Sequence, residues 1–253
     1  RKVYLSQSQQ LYKQYLLAAG FDRVFEIGPS FRAEKSHTMR HLTEFTQLDF
    51  EMAFIKDEDD VLKVLEQMFV QLVRDIKEKC AIELKMLDRT IEIPKLPFPR
   101  VTYEECLKML SGIGVKLKFG DDIGTEEEKK LGDLIKNKHK TDAYFITKYP
   151  FILKPFYIMT DGKVSRGFDF EYCGEELASG GQREHRVDIL TKQIREKTLN
   201  PKDFGFYLTP FKYGMPPHGG FGLGIDRLIR YLLKLENIRE AVMFPRDPER
   251  LTP

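Results

Sequence analysis

Cysteine is scarce: Cys80, Cys106 and Cys173 are odd in number, far apart, and include no CxxC pair. Neither a disulfide scaffold nor a structural zinc site is therefore expected, and a reducing compartment, the cytoplasm, is the simplest assignment. Long apolar runs are also missing. None reaches the ~18 to 20 residues needed to cross a bilayer, and no signal-peptide pattern opens the chain, so no membrane partner is expected. A dominant charge is absent too, because 41 basic and 39 acidic residues leave a formal +2. Bulk electrostatics does not call for nucleic acid, although local basic loops are compatible with it. The usual nucleotide signatures are lacking: there is no G-x-x-x-x-G-K-[ST] loop, and GGFGLGIDR is not a G-x-G-x-x-G preceded by a strand. HGG suggests an oxyanion hole, but no G-x-S-x-G nucleophile elbow accompanies it.

The 253 residues, 42% hydrophobic and 32% charged, have an ordinary globular composition and suffice for one large core or two modest domains. Arg1 stands directly in patterned sequence, which predicts further residues upstream. The central stretch is PSFRAEKSHTMRHLTEFTQLDFEMAF, residues 29–54. It reads as a strand, a long basic loop and a returning strand. From Phe45 the alternation puts Phe45, Gln47, Asp49 and Glu51 on one face and Thr46, Leu48, Phe50 and Met52 on the other. An aromatic ring, an amide and two carboxylates are costly beneath a domain unless water or a ligand covers them. Arg32 and Glu34 share a face of the incoming strand, and His37, Arg40 and His41 lie in the loop. Its length, without Gly or Asn at the turn, favours an anion-handling loop over a plain hairpin connection.

Around this stretch the chain alternates helices and strands. A first helix over about residues 8–19 has Ser8 as a candidate cap and Gly20 as its stop, with Gln7, Gln10 and Lys13 as a polar stripe that alone reads as solvated. DRVFEIGPSF reads as a strand. Asp57 caps a long amphipathic helix from Val61 to Ile76, and Thr102 with Glu105 forms a capping box. The block from about 79 to 139 is charged and helical and reads as an insertion packed beside the sheet. Its Asp121–Asp122 pair reads as a turn or cap. Strands are expected at DAYFITKYP, FYIM and RGFDFEYCGEELASGG, with residues 45–54 and 168–178 near the centre of a mainly antiparallel sheet of six to eight strands. A polar helix follows at about 186–197, and GFGLGIDRLIR closes the pattern with Arg227 in a helix's first turn, where a cation opposes the dipole and needs an anion.

Arg32 and Arg227 come from segments far apart in sequence, Arg40 and His41 add a basic loop, and strands supply Glu34, Asp49, Asp169, Glu171 and Glu176. Paired arginines suit a polyphosphate, carboxylates suit Mg²⁺ and an amine, and Phe45 suits a base ring. Together these describe a nucleoside-triphosphate site on an antiparallel sheet, against the blander reading of surface ion pairs.

FRAEKSHTMRHLTEFTQLDFEMAF resembles motif 2 of the class II aminoacyl-tRNA synthetases, and GFGLGIDRLIR with FPRDPERLTP resembles motif 3. QSQQLYKQ and GEELASGGQREH resemble amino-acid-site segments of the aspartyl-tRNA synthetases of archaeal and eukaryotic cytosolic type. The resemblance covers essentially the whole chain. It implies an α+β fold, the class II synthetase catalytic domain with a mainly antiparallel sheet flanked by helices, and two reactions: ATP-dependent activation of L-aspartate and transfer to tRNA(Asp). It further implies Arg32 at the α-phosphate, Arg227 and His41 at the γ-phosphate with Arg40 beside them, and Phe45 stacked on adenine with Glu34 nearby. Glu176 and Ser179 would hold Mg²⁺ near Asp169. Lys13, Asp49, Arg183, His185 and Ser179 would surround aspartate, with Gln10 on its α-amino group. In this family an N-terminal OB-fold binds the anticodon and motif 1 builds a homodimer; neither is found in residues 1–253. Gln9 stands where the family has proline, which is expected to loosen the turn before Gln10. Alternatives are a non-discriminating Asp/Asn or asparagine-specific synthetase, an asparagine synthetase-like paralogue, and a non-catalytic scaffold.

Overall fold

A computed structural model of the chain describes residues 2–33 and 39–252. In chain order the elements are α1 (Gln10–Ala18), β1 (Arg23–Phe31), β2 (Glu44–Ala53), α2 (Glu58–Lys79), α3 (Ala81–Met86), β3 (Arg100–Thr102), α4 (Tyr103–Gly112) and α5 (Thr125–His139). They continue with β4 (Ala143–Thr147), β5 (Thr160–Asp161), β6 (Val164–Ser165), β7 (Gly167–Tyr172), β8 (Glu175–Gln182), α6 (Val187–Glu196), α7 (Gly205–Phe211), β9 (His218–Gly224) and α8 (Ile225–Leu232). Seven strands form one sheet in the order β1-β2-β9-β8-β7-β4-β3. Every pairing in it is antiparallel except β3 with β4.

The period-two patterns sort the sheet into a dry face and a wet one. Phe50, Met52, Phe168, Phe170, Phe221 and Leu223 point into the principal core. There they meet α2, whose Val61, Leu62, Leu65, Phe69 and Val73 are buried at helical spacing. Each such side chain stabilises the fold by roughly 1.5 to 3 kcal/mol, so α2 is the main anchor of that face. Asp57 accepts from the Asp59 amide at the start of α2, and the Thr102–Glu105 capping box opens α4. On the opposite face, α4 and α5 pack over Tyr144 and Ile146, while α1, α6 and α7 form a third cluster around Tyr207. The wet middle of the sheet lies between these two groups.

Four expectations change. Residues 45–54 form the second strand, not a central one: β2 spends one edge on its hairpin partner β1, and the late strand β9 takes the other. The middle place falls to β8. FYIM is a turn with a single bridge, Ile158 to Arg183, because the buried Gln193 amide takes the Phe156 and Ile158 carbonyls that a ladder would use. Gln9 ties the chain down where loosening was expected. Its Nε2 donates to the Pro29 carbonyl at 3.1 Å, and its Oε1 accepts from Ser30 Oγ at 3.0 Å. The 79–139 block is no bystander either, since it supplies edge strand β3 and reaches the wet face through Glu128.

Candidate active site

A cavity of about 290 Å³ opens on the wet face over β2, β8 and β9, and Gln10, Arg32, Arg40, His41, Phe45, Asp49, Glu176, Ser179, Arg183 and Arg227 all border it. Its floor is backbone. A Cβ on Gly222 would lie 2.1 Å from Gln47 Nε2, and one on Gly180 would lie 2.5 Å from the Gly220 carbonyl.

At the closed end the charges are buried and mutually paired. Lys13 Nζ donates to Asp49 Oδ1 at 2.8 Å and to the Phe221 carbonyl at 3.0 Å, and lies 3.4 Å from Glu51 Oε2. Arg183 grips Glu51 in a fork, Nε to Oε1 at 2.9 Å and Nη2 to Oε2 at 3.2 Å, and donates to the Gly220 carbonyl. Burial alone would raise the Glu51 carboxyl, but the Arg183 guanidinium and Lys13 ammonium outweigh it and hold it below the ordinary value. Two cations face two carboxylates, so the group is close to neutral. Asp49 Oδ2 is buried with no hydrogen-bond partner. An orphaned carboxylate oxygen beside a cavity is costly and invites a donor.

The open end is looser. Arg32 is exposed, with its guanidinium over the Phe45 ring at 5.0 Å. Arg227 Nη1 donates to the Glu176 carbonyl at 2.6 Å and lies 3.8 Å from Glu176 Oε1, which supplies the anion that its helical position demands. Arg40 bridges Glu128 at 2.8 Å and Glu175 at 3.7 Å and also donates to Thr125.

Some expected residues sit apart. Lys13 lies under the floor and does not border the cavity. His185 is also off it, and burial lowers its pKa, which disfavours the protonated ring. Glu34 and His37 fall outside the described residues. Asp169 lines an adjoining cavity of about 200 Å³ with Glu176, Ser179, Glu128 and Glu171, and both its oxygens accept from Lys154 Nζ at 2.6 Å. Among the described residues, no three His, Cys, Asp or Glu side chains converge as a ready metal site. Burial, with nearby carboxylates, pushes Glu171 well above the ordinary range and raises Glu176 as well. Glu51, Lys154, Gln47 and Tyr157 are parts of the site that motif reading passed over. Alternation along β2 already put Glu51 and Gln47 on the right face; Lys154 carries no such signal.

The sequence matches the tRNA synthetases class II (D, K and N) over residues 1–248. It is 53% identical over 254 aligned positions to an aspartate–tRNA(Asp) ligase of Thermococcus kodakarensis, covering 99% of this chain and 58% of that protein. It is 51% identical to an aspartate–tRNA(Asp/Asn) ligase of Methanopyrus kandleri, covering 100% of this chain and 58% of the relative. The chain thus spans under two thirds of the length of these curated relatives. Among solved structures, an aspartyl-tRNA synthetase from Entamoeba histolytica superposes with a TM-score of 0.95 at 40% identity, covering 99% of this chain and 53% of that one. An asparaginyl-tRNA synthetase from Pyrococcus horikoshii, complexed with asparaginyl-adenylate, gives 0.90 at 39%, covering 99% and 58%.

Proposed function

The chain belongs to the class II tRNA synthetases of the D, K and N group and has their catalytic-domain fold, and on that premise we propose that its protein activates L-aspartate with ATP and transfers it to tRNA(Asp). The observation that carries this reading is Arg183, a buried guanidinium on the cavity wall held in a fixed orientation by Glu51. Its Nη1, which neither Glu51 nor the Gly220 carbonyl takes, suits the distal carboxylate of aspartate, and its ordering by Glu51 leaves little to rearrange on binding.

The first step is in-line attack by an oxygen of the aspartate α-carboxylate on the α-phosphorus of ATP, with pyrophosphate leaving. In the second, the terminal ribose hydroxyl of tRNA attacks the carbonyl carbon of the mixed anhydride and AMP leaves. The protein supplies positioning and charge neutralisation, not a nucleophile. Arg32 serves the α-phosphate, and Arg227, with His41 and Arg40, the γ end. Phe45 offers its ring to adenine on the face Arg32 does not cover, and Glu34 is assigned to the same base. Lys13 acts from below by fixing Asp49, whose free Oδ2 and the Gln10 amide serve the α-ammonium group. His185 does not border the cavity and is assigned no contact with the substrate. Glu176 and Ser179 offer oxygen donors of the kind a hard cation takes, and Asp169, whose oxygens both accept from Lys154, would join them on releasing that contact. Mg²⁺ held there would neutralise phosphate charge.

A second reading, charging of tRNA(Asn) as well, is favoured by the near-equal identity to the Asp/Asn relative. No helix among the described residues is long and apolar enough to cross a membrane. A homodimer of the full-length protein is supported by β1, an outer strand that exposes Phe25 and Ile27. Pyrophosphate exchange with each amino acid at equal concentration tests the assignment. An amide forfeits a charge-assisted bond and strands a buried donor, so aspartate should lead asparagine by roughly 10²-fold. An asparagine specificity constant equal to or above that of aspartate would overturn it, and absent ATP binding would point to a scaffold.

A further inference from the structure

Gln10 and Gln14 sit one helical turn apart on α1, and both are buried together with Tyr207 and His218. Their hydrogen bonds can be assigned from one end. The Pro216 carbonyl can only accept, and His218 Nδ1 lies 2.9 Å from it, so Nδ1 carries the ring proton. Burial lowers the His218 pKa to about 4 against the opposing pull of Glu51, with Arg183 and His185 also facing the ring. The ring is therefore neutral and Nε2 is a bare acceptor. Gln14 Nε2, 2.8 Å away, must donate to it. That turns Gln14 Oε1 toward Tyr207 OH at 3.0 Å and Gln10 Nε2 at 2.9 Å, both of which donate. With its nitrogen held at Gln14, the Gln10 amide has its carbonyl oxygen left for the cavity it lines.

We propose that His218, Gln14 and Tyr207 are positioning residues that fix the Gln10 amide with its carbonyl toward the cavity, as an acceptor for the α-ammonium of the amino-acid substrate. The inference rests on reading the cavity as an amino-acid-activating site. Orientation decides the sign of the contact: a flipped amide would set N–H against N–H, losing a charge-assisted bond and adding a repulsion. The chain starts from a backbone carbonyl that cannot change role, so it holds the amide without direct contact between His218 and substrate, and its members orient one another.

The test compares His218→Leu in the full-length protein with the same substitution in a Gln10→Ala background, by ATP–pyrophosphate exchange. In the Gln10 background KM for L-aspartate should rise about tenfold or more, with KM for ATP and kcat within about threefold, from loss of one charge-assisted contact. His218→Gln, which can still accept from Gln14, should recover most of the loss. In the Gln10→Ala background there is no amide to orient, and the added effect should be under about twofold. Equal factors in both backgrounds would overturn the proposal in favour of a packing role. NMR of the His218 ring nitrogens in the unmodified protein needs neither substrate nor variant. A neutral Nδ1–H ring at neutral pH is expected, and an Nε2–H or charged ring would overturn the chain of assignments. Exchange with the wrong tautomer removes the proposal alone, whereas the expected tautomer without amino-acid-dependent exchange removes the functional reading and with it the acceptor's role.

Discussion

The two ends of the cavity handle charge in opposite ways. At the closed end Lys13, Asp49, Glu51 and Arg183 are all nearly inaccessible, and each cation has a carboxylate within 3 Å. At the open end Arg32 is exposed, and Arg227 and Arg40 keep partial access to solvent. A buried charge must be paired before any ligand arrives, so folding completes the ion pairs of the closed end and leaves Asp49 Oδ2 to a ligand. Exposed arginines can wait for a polyanion. The contrast matches the two ligands proposed here: a small amino acid that must be discriminated, and a triphosphate that must mainly be neutralised.

The sharpest way to break the contrast is Glu51→Gln, which leaves Arg183 and Lys13 buried with one fewer anion. Breaking a buried pair from one side costs about 3 to 5 kcal/mol, so a large fall in the urea unfolding midpoint is expected. A change as small as that of a surface pair would mean that the closed end is wetter than described. Arg227→Ala should do the reverse. It should lower pyrophosphate exchange by about 2 to 4 kcal/mol of transition-state stabilisation, as for removal of an electrostatic catalytic group. Its effect on unfolding should stay below about 1 kcal/mol, since its ion pair is partly solvated.

Acid should also act on the closed end first. His218 is neutral in the folded protein down to about 4, against an ordinary 6.5. Between those values the unfolded chain binds a proton that the folded one does not. Stability should fall as pH drops through that window, by up to about 3 kcal/mol, and be flat in this contribution above it. Calorimetry of His218→Gln beside the parent isolates the contribution; identical pH slopes would refute it. The smallest effect is expected from Arg246→Ala, which removes a partly exposed pair with Glu44 and should shift stability by at most about 1 kcal/mol.

Much of this architecture is legible in the sequence because alternation is a local property. The period of two placed Phe45, Gln47, Asp49 and Glu51 on one face, and Phe168 and Phe170 on the other, before any pairing was known. Asp57 and the Thr102–Glu105 capping box announced the starts of α2 and α4 for the same reason. What could not be read is whatever depends on pairing across the sheet. Lys13 and Asp49 are each recognisable as site residues, but their mutual neutralisation brings together positions 36 residues apart. Lys154 follows a short 3₁₀ turn, and only the placement of β7 makes it the partner of Asp169. Gln9 departs from the expected loosening because its side-chain amide, which proline lacks, ties it to Pro29 and Ser30.

The backbone floor bears on how this site can change. A side chain at Gly180 would overlap the Gly220 carbonyl of β9, so that position cannot be retailored without displacing a strand, whereas one at Gly222 would meet the movable end of the Gln47 side chain. Selection, or an engineer, seeking a different amino acid has the walls to work with: Gln10, Gln47, Tyr157 and Arg183. The scaffold is evolvable sideways and frozen underneath at Gly180.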